Sequence, residues 1–380
     1  MTGNQIEPEP TAREKYSGIG GFSQDSFKRF GFTPDIIKAL GEAANHSVAG
    51  QTWASYQTAE RHIARAEKHT GVQITFPFAL KSTLAYIGFL LCPKDEGGRG
   101  LQGKSVEKYL SALRLLHMQK GHFEPYLRPE VIKQITRGAC NRDQIIKRME
   151  GKAEKMAMTP EIMCSLKKCL KESRFTTSRK RIIWAACTLC WSGALRVHEL
   201  LSKEPGKFDP KTTMMASAIK LSSALVEGKR VETLQVYLAH PKEERLSAGV
   251  KLDLFASEDF MCPVKAYRNW LQDKVVRLSS QKPLFRLADG RNYTGSQFNK
   301  DLKSLLKGVV DYSKSPLTSH SFRRGLATFM AKTGYSDEDI MRVGRWHSQA
   351  FKAYITAPRE IRGRLAAQLA AKVSSSLQLT

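Results

Sequence analysis

The chain has 380 residues and a mass of 42.6 kDa, more than one compact core usually holds, which predicts two domains. With 41% hydrophobic and 26% charged residues its composition is globular, which excludes a wholly disordered chain. Its 61 Lys and Arg residues outnumber 36 Asp and Glu, giving a net charge of +25, of which residues 151–380 carry +19. Such a charge favours a polyanion, most often nucleic acid, as the partner. A basic cytosolic enzyme or ribosome-associated protein is the alternative.

The seven cysteines form no regular framework, and no secretory signal peptide is recognised. Both observations predict a reduced, intracellular protein. No apolar run reaches the roughly 18 residues of a membrane span, so no membrane association is expected. Cys187 and Cys190 form a CxxC motif, but they lie in the apolar run 182–191. That run predicts a buried helix rather than a zinc site.

The first part of the chain is predicted to be a small helical bundle. Residues 1–45 are interpreted as an N-terminal extension of unassigned role, and residues 46–150 as a helical DNA-binding domain. Four amphipathic helices are expected there, starting near Thr52, Pro77, Ser105 and Pro129. Four basic residues lie along or beside the third helix: Lys104, Lys108, Arg114 and Lys120. They are interpreted either as a groove or backbone contact with nucleic acid or as a solvated helix face.

Residues 148–158 have the charged, Gly-containing character of a linker, and Thr159 is predicted to cap the next helix. The second domain is expected to be helical, with later helices over 261–277, 296–309, 320–333 and 336–343. LQVYL at 234–238 and VKLDL at 250–254 alternate in hydropathy around a polar turn, which predicts a β-hairpin. The predicted fold class is therefore mainly α with a small β-hairpin or sheet.

Four separated motifs carry the chemistry: GALRVHEL at 193–200, HPKEER at 240–245, HSFRRG at 320–325 and GRWHSQAFKAYI at 344–355. In this order and at these intervals they resemble the tyrosine recombinases of the phage-integrase type. The resemblance covers about residues 70–360. It implies a helical core-binding (SAM-like) domain followed by a catalytic tyrosine-recombinase domain at 151–360.

The resemblance assigns two catalytic arginines to Arg196 and Arg323. Transesterification at a phosphodiester builds negative charge on the non-bridging oxygens, and planar, permanently charged guanidinium groups suit that charge. Glu199, one helical turn after Arg196, can orient it, although a surface ion pair is the alternative. Arg323 lies three residues after His320, so the two share a helix face.

The resemblance assigns the nucleophile to Tyr354, 31 residues after Arg323. Attack by a phenol conserves the bond energy in a 3′-phosphotyrosyl link, so neither ATP nor a metal is expected, and no cofactor is implied. His320 would bond the phosphate or take the proton of the nucleophile. The alternatives are a satisfied core histidine at 320 and a core aromatic at 354.

Lys242, in the predicted hairpin turn, is the preferred general acid for the leaving 5′ oxygen, and Lys229 and Lys251 are competitors. One position departs from the common family pattern. Many members have Gly-His nine residues before the tyrosine, where this chain has Arg345, followed by Trp346 and His347. Any of the three could donate to the phosphate; Trp346 is favoured, with Arg345 as a possible alternative close behind it and His347 also open.

The same motifs most resemble recombinases of eukaryotic DIRS, Ngaro and Crypton mobile elements, which implies action in a nucleus to integrate or excise an element. Double-stranded DNA and a tetrameric synapse are the implied partners. Residues 361–380 form a predicted helix whose apolar stripe would dock on its own domain or on a neighbouring protomer; the stripe is Ile361, Leu365, Leu369 and Val373.

Two other functions remain open. A type IB topoisomerase or telomere resolvase would share the chemistry but relax or close DNA. A catalytically silent DNA-binding protein, descended from a recombinase, would need none of the catalytic residues. The presence of five residues argues against the silent protein: Arg196, Lys242, His320, Arg323 and Tyr354.

Overall fold

The structure is a computed structural model. It describes residues 25–28, 30–46, 50–93, 99–122, 129–150, 155–210, 212–239, 249–273, 279–311, 316–318, 320–346, 348–353 and 355. The chain divides into two compact units, Met1–Lys152 and Ala153–Thr380. Each is described by itself.

The first unit is helical throughout its described part. Its helices are α1 (Asp25–Lys28), α2 (Pro34–His46), α3 (Gly50–Thr70), α4 (Leu80–Leu91), α5 (Gly103–Gln119) and α6 (Glu130–Met149). Helices α3, α4 and α5 surround a core that contains Tyr86, Ile87 and Leu113, each at most 2% exposed. The Tyr86 hydroxyl donates to the carbonyl of Ala59 at 3.0 Å, so the buried phenol keeps a partner.

A buried histidine, His117 of α5, fixes the chain before α4. Its Nδ1 lies 2.7 Å from the Leu113 carbonyl, and its Nε2 accepts the amide of Phe78 at 2.9 Å. These partners select the tautomer with the proton on Nδ1. Burial lowers the pKa of His117. The Phe78 amide is thus bound to α5 and Ala79 is extended, so α4 begins at Leu80 and not at Pro77 as predicted.

Two other predicted helix starts are also displaced. Helix α3 begins at Gly50, so Thr52 lies inside the helix and does not cap it. Helix α5 begins at Gly103, two residues before the expected cap Ser105, because the Gly103 amide donates to Asp143 Oδ2 of α6 at 2.6 Å. Both N-terminal signals were correct only to within a few residues. Helix α6 starts directly after Pro129, as predicted.

The second unit contains helices and one small sheet. Its elements are α7 (Pro160–Glu172), α8 (Thr177–Ser192), α9 (Val197–Leu200), β1 (Ile219–Val226), β2 (Lys229–Leu238), β3 (Val250–Phe255), α10 (Pro263–Leu271), α11 (Gly295–Leu305), α12 (Ser321–Thr333) and α13 (Asp337–Gly344). Single 3₁₀ turns cover Ala216–Ala218 and Gln349–Ala353. The hydroxyl of Thr159 caps α7 as predicted, accepting the Ile162 amide.

The sheet is antiparallel with the order β1-β2-β3. The two predicted strands pair as expected, with Leu234 opposite Leu254. Strand β1 was not predicted, because IKLSSALV has no clean alternation of buried and exposed positions. It joins β2 through a two-residue turn, Glu227-Gly228, in which both φ angles are positive (48° and 77°). Such turns match the right-handed twist of paired strands.

The core of the second unit is built around α8, which is buried along most of its length. Cys187 and Cys190 are both 0% exposed there, which confirms the prediction of a buried helix. Large side chains from later elements complete the core, among them Trp270, Phe285 and Phe322.

A buried carboxylate, Asp301 of α11, joins α11 to the start of α8. Its Oδ2 accepts Arg179 Nε at 2.9 Å and the Tyr293 hydroxyl at 2.7 Å, and its Oδ1 accepts Gln297 Nε2 at 2.9 Å. Because both oxygens are paired, the carboxylate is buried without an unsatisfied acceptor.

The predicted fold class, mainly α with a small β-sheet, is confirmed. In the part of the chain that the structure describes, no helix combines the length and apolar character needed to cross a membrane.

Candidate active site

A tight turn after α8 places the first predicted catalytic arginine. Helix α8 ends at Gly193, Ala194 takes a positive φ of 45°, and Arg196 precedes the short helix α9. Glu199, one turn later, accepts the Arg196 amide on Oε2 at 2.9 Å and Arg196 Nη1 on Oε1 at 2.8 Å. The side chains of Arg196 and Glu199 are 5% and 9% exposed. The pair is therefore buried, and the alternative of a surface ion pair is wrong.

The second arginine, Arg323 of α12, is 0% exposed and contacts the turn that precedes Arg196. Its Nη1 donates to the Ala194 carbonyl at 2.6 Å, and its Nη2 donates to the Gly344 carbonyl at 2.8 Å. The guanidinium carbon lies 4.8 Å from the centre of the Trp346 ring, a cation–π distance. Arg323 thus joins the turn that precedes Arg196 to residues 344–346 at the end of α13, the GRW turn.

His320 is the residue that precedes α12, and its side chain is half-buried. Loss of water contact lowers its pKa to about 4, and repulsion by Arg196, Arg323, His198 and Lys155 adds to the shift. The imidazole is therefore neutral at neutral pH and can accept a proton or a hydrogen bond.

We expect the DNA-free protein to keep His320 neutral well below the usual histidine pKa of about 6.5. ¹⁵N-histidine NMR titration, with His320→Gln to assign the signal, should show a neutral imidazole down to about pH 5. A midpoint at or above 6.5 would contradict the electrostatic environment described here. Adding DNA should raise the midpoint, because a nearby phosphate favours the protonated ring.

A glycine lets α12 approach the segment that enters the second unit. A Cβ on Gly325 would lie 2.0 Å from the Met158 carbonyl oxygen, so only glycine fits. The amide of Met158 donates to the Ser321 carbonyl at 2.9 Å, and the Met158 carbonyl accepts Trp191 Nε1 at 3.0 Å. The chain at 156–158 is thereby fixed beside His320, which explains why the neighbouring Lys155 affects its pKa.

A second glycine shapes the GRW turn. A Cβ on Gly344 would lie 1.7 Å from the Trp346 ring, so the ring folds back over Arg323 only because residue 344 has no side chain. Trp346 is 8% exposed and packs on Phe351 with ring centroids 5.9 Å apart. Trp346, the favoured phosphate donor, thus lies over Arg323.

Arg345 adopts a positive φ of 55°. Its Nη2 lies 3.4 Å from Glu199 Oε2 and 3.3 Å from the Ala194 carbonyl. Burial alone would raise the pKa of Glu199, but Arg345 and Arg196 outweigh it and hold that pKa below its usual value. Glu199 is therefore ionised between two guanidinium groups.

Three predicted site residues, Lys242, His347 and Tyr354, lie outside the described residues, as do 361–380. The described residues on either side of position 354, Phe351 and Ile355, belong to or pack against the cluster that contains Ala194 and Trp346. Lys229 and Lys251, the competitors of Lys242, are exposed on strands β2 and β3.

Sequence reasoning missed four contributors to the site. His198 and Lys155 contribute to the lowered pKa of His320, and Gly325 and Gly344 allow the close packing around the arginines. Both glycines stand in the quoted motifs, at the end of HSFRRG and the start of GRW, but their spacing alone does not reveal the approach. Among the residues described, no cluster of three or more His, Cys, Asp or Glu side chains is placed to hold a metal.

In the first unit, Lys104 and Lys108 of the predicted basic set are exposed, and Arg114 is half-buried. Lys120 lies 3.9 Å from Glu60 and 5.0 Å from the Phe76 ring centre. Contact with nucleic acid remains a prediction for these residues.

The chain was compared with known proteins. No family model matches it, and neither does any curated protein sequence. Solved structures do match. XerH recombinase in a post-cleavage complex with palindromic difH DNA aligns with a TM-score of 0.54 at 10% identity, over 93% of this chain and 92% of that one. A λ integrase (75–356) dimer on a COC′ core site gives 0.50 at 14%, over 88% and 96%. A Tn1549 transposon integrase bound to transposon right end DNA gives 0.50 at 14%, over 92% and 100%.

These neighbours are tyrosine recombinases, and the similarity extends over nearly the whole of both chains. The chain therefore has the tyrosine-recombinase fold.

Proposed function

We propose that the protein is a site-specific DNA recombinase that cleaves and rejoins DNA through a 3′-phosphotyrosyl intermediate. The observation that carries this proposal is that Arg196 and the pair His320 and Arg323, more than 120 residues away in sequence, lie together around the turn at Ala194. The tyrosine-recombinase fold also supports the proposal, because a cluster of two arginines and a histidine in an unrelated fold would be weaker evidence for recombination.

In the proposed reaction, the Tyr354 hydroxyl oxygen attacks phosphorus and the bond to the 5′ oxygen breaks. The phenolic proton passes to His320, which is neutral before DNA arrives. Lys242 gives a proton to the leaving 5′ oxygen. Arg196 and Arg323 stabilise the charge that grows on the non-bridging oxygens. Attack by a 5′ hydroxyl then reverses these steps and releases the tyrosine, so rejoining needs no external energy source.

The buried position of Arg323 sets a condition on this mechanism. A side chain that is 0% exposed and directed at two carbonyls meets a phosphate only after a covering group moves. Trp346, whose ring lies over the guanidinium, is one such group. DNA binding is therefore expected to move the Trp346 ring away from the Arg323 guanidinium.

The finer assignments belong to the same proposal. Integration or excision of a mobile element is supported by the motif resemblance to eukaryotic elements and by the transposon integrase among the structural neighbours. A nuclear site of action and a tetrameric synapse follow from that assignment. The structural neighbours include DNA complexes, one of them a dimer, which supports double-stranded DNA and other copies of the chain as partners.

The proposal is tested with a nicked suicide substrate made from DNA that flanks the coding sequence. Cleavage should trap a covalent adduct on the 3′ phosphate, identified by peptide mass spectrometry. A substrate with two sites separates the alternatives, because a topoisomerase or resolvase would relax or close DNA without exchanging strands. A silent DNA-binding protein would shift the DNA in a gel and form no adduct.

Divalent metal is expected to be unnecessary, since the guanidinium groups supply the positive charge that metals provide in other phosphoryl-transfer sites. The adduct should form in EDTA at the same rate and yield as in Mg²⁺. Loss of the adduct in EDTA and its recovery with Mg²⁺ would contradict the mechanism.

A further inference from the structure

Arg345 shares a carboxylate with Arg196. Glu199 accepts the Arg196 amide and Nη1 at 2.9 and 2.8 Å, and its Oε2 also lies 3.4 Å from Arg345 Nη2. All three side chains are at most 9% exposed. At these distances and this burial, the interaction of the charges is screened much less than at a protein surface.

The shared carboxylate has an electrostatic consequence for the site. Glu199 orients Arg196, but its negative charge cancels the positive charge that Arg196 would offer to a phosphate. Arg345 adds a second positive charge to the same carboxylate, so the group of three has a net charge of +1 instead of zero. The potential at the phosphate therefore depends on Arg345 even without contact.

Arg345 also joins two turns mechanically. Its Nη2 lies 3.3 Å from the Ala194 carbonyl and 3.5 Å from the Gly193 carbonyl. The Ala194 carbonyl is also the acceptor for Arg323 Nη1. Both Ala194 and Arg345 hold positive φ angles, of 45° and 55°, a conformation that L-residues adopt at a cost. The contacts between them offset that cost and hold the GRW turn against the Arg196 turn.

We propose that Arg345 is a positioning residue that acts through Glu199: it restores the positive charge that Glu199 cancels, and it holds the GRW turn against the Ala194 carbonyl. It does not itself contact the scissile phosphate. The inference rests on the proposed function and narrows it, because it leaves the donor role at this place to Trp346, whose ring lies over Arg323.

A double-mutant cycle of Arg345→Gln and Glu199→Gln tests the inference with single-turnover cleavage at saturating DNA. In the wild-type background, Arg345→Gln should slow adduct formation about 10- to 100-fold, as misplacement of catalytic groups does. In the Glu199→Gln background there is no negative charge to offset and only the contact with the Ala194 carbonyl is lost, so the same change should cost about tenfold less. The cycle isolates the coupling of the two residues.

Arg345→Lys serves as the conservative variant, since it keeps the charge beside Glu199. It should recover most of the rate that Arg345→Gln loses. Arg342→Gln is the matched control for loss of one arginine charge, because Arg342 is exposed on the same helix. Its cleavage rate should stay within about twofold of wild type, as for most surface substitutions.

Equal losses from Arg345→Gln with and without Glu199 would overturn the inference, because Arg345 would then act independently of Glu199. The same four proteins are unfolded in denaturant, which measures the contact without any catalysis. If Arg345→Gln destabilises both backgrounds equally, the contact with Glu199 is absent and the inference fails. A wild-type protein that forms no adduct, while the stability cycle shows coupling, would instead overturn the proposed function.

Discussion

Tyr354→Phe is expected to abolish every covalent protein–DNA adduct while leaving DNA affinity within about twofold of wild type. The substitution removes only the phenolic oxygen, the atom proposed to attack phosphorus, and keeps the ring for packing. Phe351 and Ile355, close by in sequence, pack with the cluster that contains Ala194 and Trp346. Adducts on a suicide substrate are counted on denaturing gels, and affinity is measured by fluorescence anisotropy.

Tyr335→Phe is the matched control. Tyr335 belongs to the same unit and is 55% exposed, so removal of its hydroxyl should leave adduct formation unchanged. Persistent adducts in the Tyr354→Phe protein would move the nucleophile to another residue. Loss of affinity together with loss of adducts would instead assign Tyr354 to DNA binding.

Helices with strong periodicity and a local cap could be predicted from the sequence. Thr159 caps α7 because a threonine hydroxyl precedes Pro160 at the first helical position, and both signals are local. The starts of α4 and α5 could not be predicted, because His117 and Asp143 decide them from other helices. Such contacts depend on the tertiary structure, so the sequence near each helix start does not predict them.

Strand β1 shows a different limit. Its residues have no alternating pattern, and its partner β2 was recognised only at its C-terminal half, LQVYL. The Glu227-Gly228 turn was the available signal, since an acidic residue before glycine between two extended runs is compatible with a two-residue hairpin.

The candidate site also has features that the sequence predicts and features that only the structure shows. The motifs identified the side chains that the reaction needs, and the structure brings Arg196, His320 and Arg323 together. The roles of these residues remain predictions. The contacts of Arg345 could not be predicted, because they depend on the carbonyl of Ala194, which a positive φ turns into the site. The residue type does not predict a positive φ at an alanine.

The second large effect is expected at the two arginines. Arg196→Ala and Arg323→Ala should each slow single-turnover cleavage about 10²- to 10³-fold, the usual loss for one preorganised donor to a transition state. Affinity should fall far less, since a charge of +19 in residues 151–380 supplies many other phosphate contacts. The separation of rate from affinity, measured at saturating DNA, is the signature of a group that acts mainly in the transition state.

Folding must be controlled in these variants. Arg323→Ala leaves the Ala194 and Gly344 carbonyls without their donor, and Arg196→Ala leaves Glu199 with Arg345 as its remaining arginine. Arg196→Lys and Arg323→Lys keep the charge but lose the planar, two-pronged donor, so they should retain the fold and still cleave at least about tenfold slower. Arginine variants that lose affinity but cleave at the wild-type rate when saturated would make Arg196 and Arg323 ordinary phosphate anchors. In that case the charge that develops in the transition state would have to be stabilised by other groups.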